Sequence, residues 1–325
     1  MVAARDGTLR EPEMNLKQLQ YFVQIVESGS VAKASRQLYI AQPALSQQLK
    51  KLEDTIGKPL LVRSPKGVAP TENGLALYHH AKFILRQLDQ ALSIAQQDAI
   101  ETHGMVTVGL PSTTLAALGL RLVQRIRERY PRVLLNVVEG MSGHLTQMIR
   151  LGQLDIAILF KPNVAPDLRV TPILEEELFV LLPPHSMLLP PDRSTITLDE
   201  AARLPLIMPT GTHGLRQRVE SEFEVRSLIP NIVAEIDSLS LLMSCVRTGM
   251  GATIKPMSAL LLIEDQRTEW RALKISDAHI TRRNYLYTIS QEMLSPAAAL
   301  VALEIRSTIQ QLAHSGEWPS ITLLE

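Results

Sequence analysis

Residues 31–50 read VAKASRQLYIAQPALSQQLK, and the order of apolar and polar positions in this run decides the N-terminal fold. Val31, Ala34 and Leu38 share one helical face, and Leu45, Leu49 and Leu52 share another. Between them Tyr39-Ile40-Ala41-Gln42 makes a break closed by Pro43, which suits the first turn of a helix because its missing N–H would be unpaired there anyway. A residue as small as Ala34 lets the two helices cross closely. The pattern predicts a helix-turn-helix whose second helix enters the major groove of DNA.

With Leu45, Leu49 and Leu52 turned inward, Pro43, Ser46, Gln47 and Lys50 point outward, and Gln42 stands at the helix N-terminus, the end that reaches base edges in this motif. Glutamine pairs bidentately with adenine, discriminating by roughly 1–3 kcal/mol. Ser46 can reach a base or a phosphate, and Lys50 neutralises phosphate. The competing interpretation is an ordinary helical hairpin with a solvated polar face. The surroundings favour the DNA reading. Leu16, Leu19, Phe22, Val23 and Val26 form a preceding helix face, and Gly57 and Pro59 stop the second helix. Leu60–Val62 and Val68–Ala69 then read as short strands flanking Arg63-Ser64-Pro65-Lys66-Gly67, a wing with Arg63 and Lys66 at its tip.

At 325 residues, 46% of them hydrophobic, the chain is long enough for two or three units with real cores. It has no apolar run of transmembrane length, and its start, MVAARDGTLREPEMN, lacks the pattern of a signal peptide. The single cysteine, Cys245, excludes an intrachain disulfide and fits a reducing, cytoplasmic setting. Formal net charge is zero, but from Met14 to Thr71 eight Lys and Arg face three acids, so a basic head sits on an acidic remainder. Its DNA affinity is expected to fall steeply with salt. There is no P-loop, no GxGxxG after a strand, no HExxH and no cysteine cluster, and the eight histidines are scattered. No catalytic role, metal or cofactor is therefore expected. Glu175-Glu176-Glu177 reads as a solvated segment end.

The run from Met14 to Thr71, with FVQIVESGSVAKASRQL, AQPALSQQLKKLE, PLLVRS and GVAPTENG, is similar to the N-terminal domain of LysR-type transcriptional regulators, and within them to the nitrogen assimilation control group. One departure is Ala41, where many members carry Ser or Thr. A hydroxyl there could cap the recognition helix, worth about 0.5–2 kcal/mol. The resemblance implies an α/β protein overall: an N-terminal winged helix-turn-helix (14–71), a long linker helix (72–99), and a C-terminal two-lobed, periplasmic-binding-protein-like effector domain (104–325). Lobe I is expected over about 104–161 and 267–325, and lobe II over 162–266. Residues 1–13 lack apolar periodicity and read as a disordered tail.

Thr71 is a candidate N-cap for the linker helix, and Glu72 suits its positive end. Leu77, Ala81, Ile84, Leu88, Ala91 and Ala95 step by four and three, a seam suited to pairing two chains; the alternative is a helix packed on its own body. A two-fold dimer would match a pseudo-palindromic operator, and the family also forms tetramers. After Thr102-His103-Gly104 strands and helices alternate, as in α/β domains. Pro162, Pro166 and Pro172 mark a crossing between lobes, after which Leu178–Leu182, Leu206–Met208 and Ile232–Ile236 read as strands. Tyr285–Ile289 reads as a late strand.

A strand ending at Leu110, then Pro111-Ser112-Thr113-Thr114 and a helix, is an anion-binding arrangement, although N-capping is the simpler use of those hydroxyls. The resemblance implies that an effector loop follows this strand. Ser142 and His144, Thr210 and His213, and Phe160 at the crossing are expected to face the same cleft. The chain thus reads as a regulator of double-stranded DNA that senses a small molecule, shifts between assemblies, and acts through RNA polymerase, as activator or repressor. Control by abundance without a ligand, or a two-lobe solute-binding protein or enzyme, are the alternatives.

Overall fold

The computed structural model describes residues 14–64, 67–95, 103–162, 168–262, 270–289 and 294–324. The expected tail, Lys66, Pro166 and the end of the linker helix lie outside the described residues. The chain forms two compact units, residues 1–97 and 98–325.

The first unit opens with α1 (Leu16–Ser28), started by a reciprocal capping box between Asn15 and Gln18. Then come α2 (Val31–Gln37), capped by Ser30, and α3 (Gln42–Ile56), with Pro43 in its first turn. Phe22, Ile25, Ala34, Leu45, Leu52 and Leu60 are fully buried and make one core. The expected face of α1 is adjusted at two positions: Leu16, the first helical residue, is 41% exposed, and Ile25 is buried in its stead. Strands β1 (Leu61–Ser64) and β2 (Gly67–Pro70) pair antiparallel as the wing. The Glu53 carboxylate accepts from the Leu60 and Leu61 amides at 2.8 and 3.3 Å, fastening the end of α3 to the wing.

Helix α4 (Glu72–Ala95) follows directly. Thr71 Oγ1 accepts from the Gly74 amide at 3.0 Å and donates to the Pro59 carbonyl at 2.9 Å. Gly74 is required here, because a Cβ would lie 1.9 Å from the Leu60 oxygen. The apolar seam divides. Ala81 is fully buried with Leu77 and Leu85 against Leu19 and Val23 of α1, so this part of the helix packs on its own body. Off that packed face, Ile84 is 37% and, farther along, Leu92 50% exposed.

The second unit begins β3 (Gly104–Leu110), α5 (Ser112–Arg129), β4 (Val133–Glu139), α6 (Ser142–Arg150), β5 (Ile156–Leu159). Buried Asp155 accepts from the Thr107 amide at 2.7 Å, a structural role. A long strand, β6 (Leu168–Leu182), carries the chain across. Next are β7 (Thr195–Ile196), α7 (Leu198–Arg203), β8 (Leu206–Met208), α8 (Gly214–Val225), β9 (Ile232–Glu235), α9 (Leu239–Arg247) and β10 (Thr253–Pro256), then a 3₁₀ segment, Met257–Leu262. The unit closes with β11 (Arg271–Ile275), β12 (Thr281–Ile289), α10 (Pro296–His314) and β13 (Ile321–Leu323). The main sheet runs β4-β3-β5-β12-β6-β11-β7, with β10 and β13 also on β6.

Two lobes share β6 and β12, which pair antiparallel from Thr281–Glu177 to Ile289–Leu168 with a bulge at Asn284/Tyr285. Pro172 therefore lies within a strand rather than in a crossing loop, at the irregular position where a missing N–H is tolerated. The expected strand Leu178–Leu182 is only the last third of β6, and β12 starts at Thr281, not Tyr285. The lobe boundary expected at 266/267 moves as well. Strand β11 pairs with the far half of β6, and Leu273, Ile275 and Ile280 lie in the second lobe's core, so that lobe extends to Ile280.

The acidic run on β6 is the largest departure from expectation. Glu176 is 1% exposed, because a strand alternates its faces and the middle residue of three points into the protein. It forms an ion pair with Arg282 and accepts from Ser258 Oγ at 2.6 Å, Asn284 Nδ2 at 3.1 Å and Trp318 Nε1 at 3.1 Å. Burial would raise its pKa, but the Arg282 charge and these hydrogen bonds hold the carboxyl below its ordinary value. Glu176→Ala, which leaves Arg282 buried and unpaired, is expected to cost about 3–5 kcal/mol of effector-unit stability; urea unfolding of the full chain measures it, and a loss under about 1 kcal/mol would contradict the role assigned to the pair.

Candidate functional sites: a DNA-facing helix and an interlobe cleft

On α3 the inward face is Leu45, Leu49 and Leu52, all buried, while Gln42, Pro43, Gln47 and Lys50 are exposed and Ser46 is half-buried. Ala41 makes no side-chain cap bond, so the first-turn N–H groups are left for an outside acceptor such as a phosphate. Arg63 pairs through its backbone with Val68 on the wing. One exposed residue escaped the sequence reading. Tyr39, in the turn before α3, is 95% exposed with φ of +56°. Nothing in the periodicity distinguishes an aromatic held out at a turn from one turned in.

In the second unit the lobes enclose a cleft of about 690 Å³, walled by Ser142, Phe160, Lys161, Gln217 and Arg282 among others. A smaller inner chamber of about 40 Å³ shares Ser142, Phe160 and Arg282 and adds Ser112, Thr113, His213, Asp237 and Lys255. Five of the seven expected residues, Ser112, Thr113, Ser142, Phe160 and His213, thus meet at one place. The other two do not. Thr210 lines neither space; its amide and hydroxyl donate to Asp237 at 3.0 Å, so it only positions a wall residue. His144 is exposed and lines neither. Helix α6 starts at Ser142, and two residues farther is about 200° around the helix.

The capping interpretation of the hydroxyls fails for α5 and α6. Their N-caps are Pro111 and Met141, neither with a side-chain bond, and Ser142 Oγ is buried without a partner. Helix α8 is capped by an imidazole instead: His213 Nδ1 accepts from the Leu215 amide at 3.1 Å. Three charged residues of the chamber were missed. The Arg282 guanidinium lies 3.7 Å over the Phe160 ring centre and donates to Thr113 Oγ1 at 2.9 Å. Lys255 and Asp237 face the same space. A lysine inside the apolar run Ala252-Thr253-Ile254-Lys255-Pro256 was the available signal.

The sequence matches two family descriptions, "Bacterial regulatory helix-turn-helix protein, lysR family" over residues 16–75 and "LysR substrate binding domain" over residues 99–309. The nitrogen assimilation regulatory protein nac of Klebsiella aerogenes is 35% identical over 89% of this chain and 93% of its own. Among solved structures, a full-length OxyR variant from Pseudomonas aeruginosa matches with a TM-score of 0.72 at 21% identity, over 96% of this chain and 99% of that one. Full-length CbnR complexed with its target DNA matches with 0.65 at 17%, over 91% and 100%. The chain belongs to the LysR family of DNA-binding transcriptional regulators. It lies near the nitrogen assimilation branch, and its relatives are named as regulators rather than enzymes. Among the described residues no helix is long and apolar enough to cross a membrane.

His213 gives the site a pH signature. Burial first, then the positive charges of Lys255 and Arg282, lower its pKa to about 4, with Asp237 opposing. In the unfolded chain it titrates near ~6.5. Its contribution to stability is therefore complete above that value and is lost as pH falls towards 4. His213→Asn retains a capping acceptor and removes the titration, so its thermal midpoint between pH 7 and 4.5 should fall less than that of the parent; parallel declines would show that another group dominates.

Proposed function

We propose that this regulator binds a pseudo-palindromic operator as a homodimer paired through the rest of α4, with tetramers a further assembly. A small molecule held between the lobes sets its activity. It acts in the cytoplasm, with RNA polymerase as its partner at the promoter. The observation that carries the effector reading is the pair of uncapped helix starts, α5 and α6, opening with Thr113 and Ser142 onto one enclosed space. A regulator controlled by abundance alone has no use for such a space. The DNA assignment within the head rests on the exposed row Gln42, Gln47 and Lys50 above a buried leucine seam. Exposed Ile84 and Leu92 support pairing along the side of α4 that α1 leaves uncovered.

Gln47→Ala is expected to relax discrimination at one base position by about 1–3 kcal/mol, while Lys50→Ala weakens binding to all sequences alike and lowers the salt slope by about one. Competition binding with an operator library at two salt concentrations reads both, and an identical uniform loss for the two variants would overturn the division of roles. Ile84→Asp should yield monomers with weak operator binding; unchanged mass by light scattering would remove α4 as the pairing element. A thermal-shift panel of metabolites on the full chain tests the effector itself, and no shift from any class would favour control by abundance.

A further inference from the structure

Two donors in the inner chamber lack partners, one from each lobe. Ser142 Oγ, at the start of α6, is buried with no hydrogen bond. Lys255, on β10 opposite Phe179, is 5% exposed, and among the described residues no hydrogen bond or ion pair meets its amine. Buried polar groups are almost always satisfied, so an unmet pair across a cavity marks a missing acceptor. The carboxylates nearby are committed elsewhere. Asp237 takes the amide and hydroxyl of Thr210, and Glu176 takes Arg282, Ser258, Asn284 and Trp318.

Resting on the reading of the cleft as an effector site, we propose that Lys255 and Ser142 select the carboxylate head of the effector, and that the anion enters the inner chamber together with a proton. A space of about 40 Å³ admits such a head but not a whole metabolite. The remainder of the molecule lies in the outer cleft of about 690 Å³, reached past the shared walls Ser142, Phe160 and Arg282. A carboxylate offers acceptors to the ammonium and the hydroxyl at once, and the open starts of α5 and α6 favour negative charge.

The proton follows from the electrostatics around Lys255. Burial and the Arg282 charge on β12 push its pKa down to about 7, with Asp237, before α9, opposing. His213, at the start of α8, is held down near about 4 and stays uncharged over the range in which Lys255 titrates. The start of α5 presents only Ser112 and Thr113 to the chamber. Above pH 7 the amine of the empty chamber is mainly neutral, and an arriving anion restores its charge. Affinity should thus fall about fivefold from pH 7 to 8 and approach about tenfold per unit beyond, until the pKa of the liganded state is reached.

The test is thermal shift of the full chain with straight-chain monocarboxylates, acetate to octanoate, against the matching amides at fixed ionic strength. At least one carboxylate should raise the midpoint at pH 6.5, needing about fivefold more at pH 8 than at pH 7, while the amides give none. Lys255→Met should abolish the shift and raise the ligand-free midpoint at pH 6.5, since the buried ammonium beside Arg282 is removed. Lys255→Arg, a second variant in case the first does not fold, should bind without the pH dependence. A carboxylate shift that is independent of pH, survives in Lys255→Met, or is matched by the amides would overturn the proposal and leave the cleft as an effector site. Silence from carboxylates, amides and a panel of neutral and cationic metabolites, with operator binding intact, would overturn both.

Discussion

The effector unit depends on one buried ion pair. Glu176 and Arg282 stand on the two strands that connect the lobes, with both charges out of water. Such a pair is tolerable only if its remaining lone pairs and protons are met. Here they are met by Ser258 from the 3₁₀ segment, Asn284 from the bulge, Trp318 from the C-terminal stretch and Thr113 from the first turn of α5. The network therefore binds the C-terminal stretch, the crossing strands and the inner chamber into one polar knot.

That knot also shapes the site. Arg282 is held over Phe160 by its partners, and its fixed positive charge lies beside Lys255 and His213. Both neighbours are pushed towards their neutral forms by burial and by that charge. In the inner chamber the cationic side chains are Arg282 and Lys255, and the proposed anion site rests on these two. Arg282 lines the cleft and stands on β12, which with β6 joins the two lobes, so the proposed effector site and the lobe connection share a residue.

The head solves a different problem. Its core is small, so local devices matter: a capping box at Asn15, a serine cap at Ser30, the Glu53 tie to the wing and the backbone contact that demands Gly74. The recognition helix lacks a cap of its own at Ala41. Its N-terminal amides are open, an arrangement that favours a negatively charged partner at that end. Charge is segregated to match, with the basic excess concentrated between Met14 and Thr71 although the whole chain is neutral.

The head was almost fully legible from the sequence, because helix periodicity, caps and breakers act over a few residues. The leucines of α3, the cap at Thr71 and the outward glutamines are all where local pattern places them. The alternation of strands and helices after Gly104 was legible for the same reason. What local pattern could not show was whether Leu77 and Ala81 would face a second chain or α1, since a seam looks the same from either side. Nor could it separate Glu176 from its exposed-looking neighbours, or bring Lys255 and Arg282 to the chamber. Glu176 and Arg282 are 106 positions apart, and only the pairing register of β6 with β12 makes them partners. The sequence by itself determined most of the elements, the helix-turn-helix with its outward polar row, and five of the seven residues that meet between the lobes. The tertiary structure alone decided which charges are buried together, because that depends on contacts between distant segments and on the loss of water around them.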